Sequence, residues 1–125
     1  MAEPFEVRAI ARHIPISPQK VRLVVDEVRG KDAQVALNLL RFMPNKAAEP
    51  VYKLIQSAVA NANQNFGLEV DDLVVRRIYA DEGPRHRLAP YGGRFGSRGR
   101  FKPIIRRSSH ITVVLAERDV VEYVD

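Results

Sequence analysis

Cysteine and tryptophan are both absent from this chain, and aromatic residues of every kind make up only 7% of it. Without cysteine there are no disulfides and no thiolate metal sites, which fits a reducing compartment. No stretch approaches the roughly 18 consecutive apolar residues that a membrane helix requires. The opening Met-Ala-Glu-Pro-Phe-Glu carries two acids and no apolar run, so no secretory signal is expected. The expectation is a cytoplasmic protein with no membrane partner. At 125 residues, 46% of them hydrophobic, the chain suits one domain, 1–125, with a real core rather than wholesale disorder.

Acid is missing from one stretch in particular. The formal net charge is only +5, yet Arg85, Arg87, Arg94, Arg98, Arg100, Lys102, Arg106 and Arg107 follow one another with no Asp or Glu between them. Eight of the 20 cations stand there, leaving 12 against all 15 acids elsewhere, a balance of −3. The basicity therefore belongs to a segment, and the remainder is slightly acidic. Arginine presents a planar fork that grips phosphate at two points and stacks on bases. Tyr91, Phe95 and Phe101 are interleaved with these cations, and exposed aromatics in such company can stack on unpaired bases. A merely solvated loop would also be charged. The concentration of so many like charges in one segment, against a slightly acidic remainder, favours a polyanionic ligand instead. Phosphate contacts carry no sequence information, so this signal alone does not separate RNA from DNA.

The rest of the chain reads as regular structure. Phe5, Val7, Ala9 and Ala11 alternate with Glu6, Arg8, Ile10 and Arg12, which predicts a strand ended by Pro15. Ser17-Pro18 predicts a capped helix start, and Val21, Val24, Val25 and Val28 give its apolar stripe before Gly30. Asp32 is the expected cap of a second helix with the stripe Val35, Ala36, Leu39, Leu40 and Met43, ended by Pro44. A third helix begins between Asn45 and Pro50, carries Val51, Ile55, Ala58, Val59, Ala62 and Phe66 on its apolar face, and stops at Gly67. Leu68 to Ala80 and Ile104 to Leu115 read as strands, and Val120 to Val124 as a further short one. Consecutive strands usually pair, so the basic segment, rich in Gly and Pro, becomes a hairpin whose arms leave the body together.

A second basic group, Arg8, Arg12, Lys20, Arg22, Arg29 and Lys31, would form one patch if the first strand and first helix pack side by side. Ordinary surface ion pairs with the nearby Asp26 and Glu27 are the alternative. Arg76 and Arg77, adjacent in a strand, are expected on opposite faces. Catalytic templates fail throughout. Gly30-Lys31-Asp32 lacks the glycine spacing and hydroxyl of a P-loop, and Gly92-Gly93-Arg94-Phe95-Gly96 does not follow the dinucleotide pattern. His13, His86 and His110 have no metal-ligand spacing, and an RNA-facing role for His110 is preferred over catalysis. Ser108 and His110 share a strand face, but no oxyanion device or carboxylate partner accompanies them. Asp71-Asp72 and Asp81-Glu82 are explained as turn residues. No enzyme activity, cofactor, metal or small-molecule substrate is expected. Two other classes stay open on these residues: a DNA-bending architectural protein with basic β-ribbon arms, and an RNA-processing enzyme.

Several segments resemble the large-subunit ribosomal protein L-twenty-two family, of bacterial type. They are Ile16-Ser17-Pro18-Gln19-Lys20-Val21-Arg22-Leu23-Val24-Val25-Asp26 with Val28-Arg29-Gly30-Lys31; Ser57-Ala58-Val59-Ala60-Asn61-Ala62; Ala80-Asp81-Glu82-Gly83-Pro84; and Arg106-Arg107-Ser108-Ser109-His110-Ile111-Thr112-Val113-Val114. The resemblance spans nearly the whole chain in order. With the element order it implies an α+β fold: a compact body of three helices packed on a small antiparallel sheet (1–83 and 108–125), with a long protruding β-hairpin at about 84–107. It also implies a structural constituent of the large ribosomal subunit. Such a protein binds the subunit's RNA, supports assembly, lies beside neighbouring ribosomal proteins and lines the nascent-peptide exit tunnel with its hairpin. The residues expected at RNA are then both basic groups together with Gly99 and His110. Tyr91, Gly92, Gly93, Arg94 and Phe95 are expected at the hairpin tip, where nascent peptide is a candidate partner. The family usually shows Arg-Ala-any-Gly-Arg past the tip. Here the segment reads Gly96-Ser97-Arg98-Gly99-Arg100, which keeps Gly99 and Arg100, and the tip is a few residues longer.

Overall fold

The computed structural model describes residues 6–87, 93–95, 101–103 and 105–118. Alternation from the N-terminus builds β1 (Glu6–Ile14), with Val7 buried and Glu6, Arg8, Ile10 and Arg12 exposed. Three helices follow: α1 (Pro18–Val28), α2 (Ala33–Phe42) and α3 (Ala48–Phe66). After a short 3-10 turn at Val70–Asp72, the chain enters β2 (Leu73–Glu82) and the two-residue β3 (His86–Arg87). Then come β4 (Gly93–Phe95), β5 (Phe101–Pro103), β6 (Ile105–Arg106) and β7 (Ser109–Glu117). The fold is α+β, as expected.

β7 is the middle strand of an antiparallel sheet with order β1-β7-β2. Its Ile111, Val113 and Leu115 face the helices and are wholly buried. Val21, Val24, Val25 and Val28 of α1 and Val51, Leu54, Ile55, Ala58 and Ala62 of α3 complete the core against them. The alanines on α3 are small enough for its axis to approach the sheet and α2 closely. The α2 stripe is narrower than expected: Ala33, Ala36 and Leu40 are buried, whereas Val35 and Leu39 are exposed. A ten-residue helix that touches the body along one line buries only the positions one turn apart on that line. Phe66, expected on the α3 core face, is also exposed, because it lies in the last turn before Gly67. Gly67 takes φ 67°, the left-handed conformation that favours glycine, and the Leu68 amide returns to the Ala62 carbonyl.

Neither expected side-chain cap forms. Ser17 caps α1 only through its carbonyl, which accepts from the Lys20 and Val21 amides. The Asp32 carbonyl accepts from Ala36, while its carboxylate takes the Arg118 guanidinium at 2.9 Å.

β2 and β7 are the two arms of one hairpin. Their register runs from Leu73↔Glu117 to Glu82↔Ser109, and pairing continues outward through His86↔Arg106 and Arg87↔Ile105, then Gly93↔Pro103, Arg94↔Lys102 and Phe95↔Phe101. Within the expected tip, Gly93–Phe95 pair with Phe101–Pro103. Tyr91, Gly92, Arg98, Gly99, Arg100 and the final run Val120–Val124 lie outside the described residues.

Candidate nucleic-acid interface

The hairpin leaves the body at a tight junction. The Gly83 amide donates to the Ser108 carbonyl at 2.9 Å, and the Ser108 hydroxyl donates to the Pro84 carbonyl at 2.7 Å. A Cβ at position 83 would lie 2.6 Å from that hydroxyl oxygen, so only glycine fits without displacing it. The buried Ser109 hydroxyl donates to the Ile16 carbonyl at 2.8 Å, tying the returning arm to the start of α1. Beside the junction, Arg85 Nε donates to Glu82 Oε1 at 2.7 Å. That hydrogen bond, then the Arg85 charge, and then the charges of Arg107 and Arg22, hold the Glu82 carboxyl below its ordinary range.

A groove of about 620 Å³ opens between the start of α1, the turn into α3 and the returning arm. It is lined by Lys20, Lys46, Arg106 and Arg107 with the apolar Leu23 and Ile105 among them, and no acid among the described residues lines it. Among the described residues, none of these four cations has an ion pair or a side-chain hydrogen bond. Arg107 feels Glu82 outside the groove, but the like charges gathered on its walls repel one another, and phosphate relieves that repulsion while accepting several donors at once. The first turn of α1 adds its positive dipole end beside Ser17. Lys20, Arg106 and Arg107 were legible as candidates in the sequence. Lys46 was not, because a lone lysine in a turn signals nothing until the fold sets it beside the others.

The second basic group does not assemble into one patch. α1 packs along β2, whereas β1 is covered by α3, so the first strand and first helix occupy opposite edges of the sheet. Arg8 and Arg12 therefore lie on β1, Lys20 in the groove, and Lys31 beyond the far end of α1. Arg22 and Arg29 have another use. Arg22 donates through Nε and Nη2 to the Ala80 carbonyl at 3.2 and 3.0 Å, and Arg29 likewise to the Ile78 carbonyl at 3.3 and 3.1 Å. Both carbonyls belong to the edge strand β2, which the Gly30–Val75 and Val75–Lys31 backbone bonds cover further along. Arginines and a short backbone bridge thus close an edge that would otherwise invite another strand.

Arg76 and Arg77 also depart from expectation. A β-bulge between Val75 and Arg77 shifts the register, and both guanidiniums reach Glu6, at 3.4 and 3.2 Å. An extra residue in one strand breaks the alternation that would send neighbours to opposite faces. His110 is half-buried at the start of β7. Its Nδ1 accepts from the His13 amide at 3.1 Å, and the two rings meet edge to face with centroids 4.9 Å apart. His13 sits at a second irregularity, between Ala11 and Ile14, with φ 58°.

The backbones of Arg87, Arg94 and Lys102 lie in the hairpin ladder. No group of three or more His, Cys, Asp or Glu among the described residues is arranged to hold a metal ion, and no helix there is long and apolar enough to cross a membrane.

A family model described as "Ribosomal protein L22p/L17e" matches residues 9–116, from within β1 to nearly the end of β7. Two proteins named "Large ribosomal subunit protein uL22" are similar over 114 residues, which is 90% of this chain and 96% of theirs. The one from Desulfitobacterium hafniense strain Y51 is 49% identical, and the one from strain DSM 10664 / DCB-2 is 48% identical.

Proposed function

Because this chain belongs to the ribosomal protein L22p/L17e family, we propose that it is a structural constituent of the large ribosomal subunit that binds the subunit's RNA and catalyses nothing. The observation that carries the RNA-binding part is the groove at the hairpin root, where Lys20, Lys46, Arg106 and Arg107 have no ion pair and no acid among them within the described residues. Phosphates entering that groove replace mutual repulsion with charge-assisted hydrogen bonds. Beyond it, Arg87, Arg94, Arg98, Arg100 and Lys102 extend the same chemistry along the hairpin at about 84–107. The body, 1–83 and 108–125, anchors the arm.

In this reading the arm neutralises phosphate where RNA segments meet and so lowers the repulsion that opposes their packing during subunit assembly. Its tip, Tyr91, Gly92, Gly93, Arg94 and Phe95, lines the nascent-peptide exit tunnel. Neighbouring large-subunit proteins and nascent peptide are the further partners, in the cytoplasm.

The test is binding of the full chain to large-subunit ribosomal RNA and to duplex DNA of equal length across a salt series. The RNA is expected to bind more tightly. Changing Lys20, Lys46, Arg106 and Arg107 together to Gln should flatten the slope of log affinity against log salt by about 0.7 to 0.9 for each phosphate that the protein no longer neutralises. Equal binding to duplex DNA, accompanied by bending, would make the protein a DNA architectural factor and overturn the reading.

A further inference from the structure

All three helices pack on one face of the sheet, and the other face carries no layer among the described residues. The register sets out what that face presents. Glu6, Ala116 and Val74 form one row; Arg8, Val114 and Arg77 the next; Ile10, Thr112 and Tyr79 the third; and His110 and Asp81 the last. In the first three rows the middle strand offers only the short side chains Ala116, Val114 and Thr112, each buried to about 5% exposure, and His110 is half-buried in the last. The result is a shallow trough with Ile10 and Tyr79 as its apolar walls, 42% and 40% exposed.

Around those walls stand Arg8, Arg12, Arg76 and Arg77, against the two acids Glu6 and Asp81. Glu6 is shared between Arg76 and Arg77 in half-exposed pairs. Exposed pairs of this kind contribute little and yield readily to a phosphate. Protein interfaces also enrich tyrosine and arginine, so the excess of four arginines over two acids, which complements a polyanion, is what favours RNA here. Arginine rings the centre, and the aromatic stands beside it on a three-stranded ladder. Sheets that take single-stranded RNA use the same elements: an open face, an aromatic for the base and cations for the phosphates.

We propose that this open sheet face is a second RNA-docking surface, which takes an unpaired stretch with one base stacked on Tyr79 and its phosphates on Arg8, Arg12 and Arg77. The inference rests on the RNA-binding role proposed above, but uses a face of the body separate from the groove and the hairpin.

The experiment uses the full chain and large-subunit ribosomal RNA. Because the chain has no tryptophan, Tyr79→Trp introduces a single indole whose fluorescence reports stacking. Binding of the RNA should quench it. Tyr79→Ala should weaken binding by about 5- to 150-fold, the range for loss of one base–aromatic stack. Tyr79→Phe, which keeps the ring, should bind as the unchanged chain does. Tight RNA binding with no quenching and no effect of Tyr79→Ala would overturn this proposal and leave the RNA-binding role intact. Quenching by large-subunit proteins but not by RNA would also overturn it, by assigning the face to a protein partner. Loss of RNA preference in the unchanged chain would instead sink the RNA-binding role, and this proposal with it.

Discussion

Replacing Arg22 and Arg29 together by methionine should destabilise the fold while removing no residue from the groove. Each guanidinium puts two donors on a single β2 carbonyl, that of Ala80 or of Ile78. Methionine keeps much of the apolar stem that packs along α1 and removes the charged fork. A hydrogen bond from a charged donor contributes about 1.5 to 3 kcal/mol. These carbonyls lie at a sheet edge where water can replace the missing donor, so the lower end applies. The Arg29–Asp26 pair at 2.7 Å is exposed on both sides and adds little. The double change should therefore cost about 2 to 3 kcal/mol. For a urea slope of about 1.5 kcal/mol/M, that lowers the unfolding midpoint by roughly 1.3 to 2 M. The control is Lys20→Met with Lys46→Met, at groove positions without partners among the described residues, which should stay within about 0.5 kcal/mol of the parent. The reasoning fails if the arginine pair moves the midpoint no further than the lysine pair and yet weakens RNA binding. In that case the two arginines are RNA ligands, and the backbone bridge from Gly30 and Lys31 alone closes the edge.

Two other outcomes follow from the hairpin root. The Glu82 carboxyl is held below its ordinary range by Arg85, so the pair stabilises the fold above the unfolded-state pKa and loses that contribution as pH falls through the lower folded value. Arg85→Gln should raise the Glu82 midpoint in an NMR titration, and an unmoved midpoint would remove Arg85 as the cause. Gly83→Ala should cost about 1 to 3 kcal/mol in thermal or urea unfolding, because its Cβ would press on the Ser108 hydroxyl at 2.6 Å. In a Ser108→Ala background the cost should fall, and an undiminished cost would locate the strain elsewhere.

Much of this fold was readable from period and punctuation. Val21, Val24, Val25 and Val28 recur at helical spacing and all are buried. Pro50 falls in the first turn of α3, and Gly67 ends that helix in the left-handed conformation. The hairpin followed from two strands flanking a glycine-rich segment, and the arms do pair. What escaped the sequence has a common physical cause: it depends on which elements become neighbours. Arg22 and Arg29 look like surface cations until α1 is set along the edge of β2. Arg76 and Arg77 look divergent until one extra residue breaks the alternation. Lys46 becomes part of a cationic wall only when the α3 turn approaches the returning arm. Periodicity reports which face of an element is buried; it does not report what that face is buried against.

The structural use of Arg22 does not exhaust its charge. A guanidinium paired with a carboxylate is neutralised, but one that donates to a backbone carbonyl meets only a dipole and keeps its full positive charge. Among the described residues Arg22 has no acid within ion-pair distance, and its field is felt at Glu82, where it helps lower the carboxyl's pKa. The same end of the molecule carries Lys20, Lys46, Arg106 and Arg107. With a screening length of about 8 Å at physiological salt, charges this closely grouped act on an approaching polyanion as one source. Closing the β2 edge with arginine, where a further strand or an acid–base pair would also have served, therefore keeps that edge sealed while adding to the positive field where the hairpin departs. A slightly acidic body can in this way present a positive end to a polyanion, and that end is set by the packing of α1 on β2 as much as by the basic segment itself.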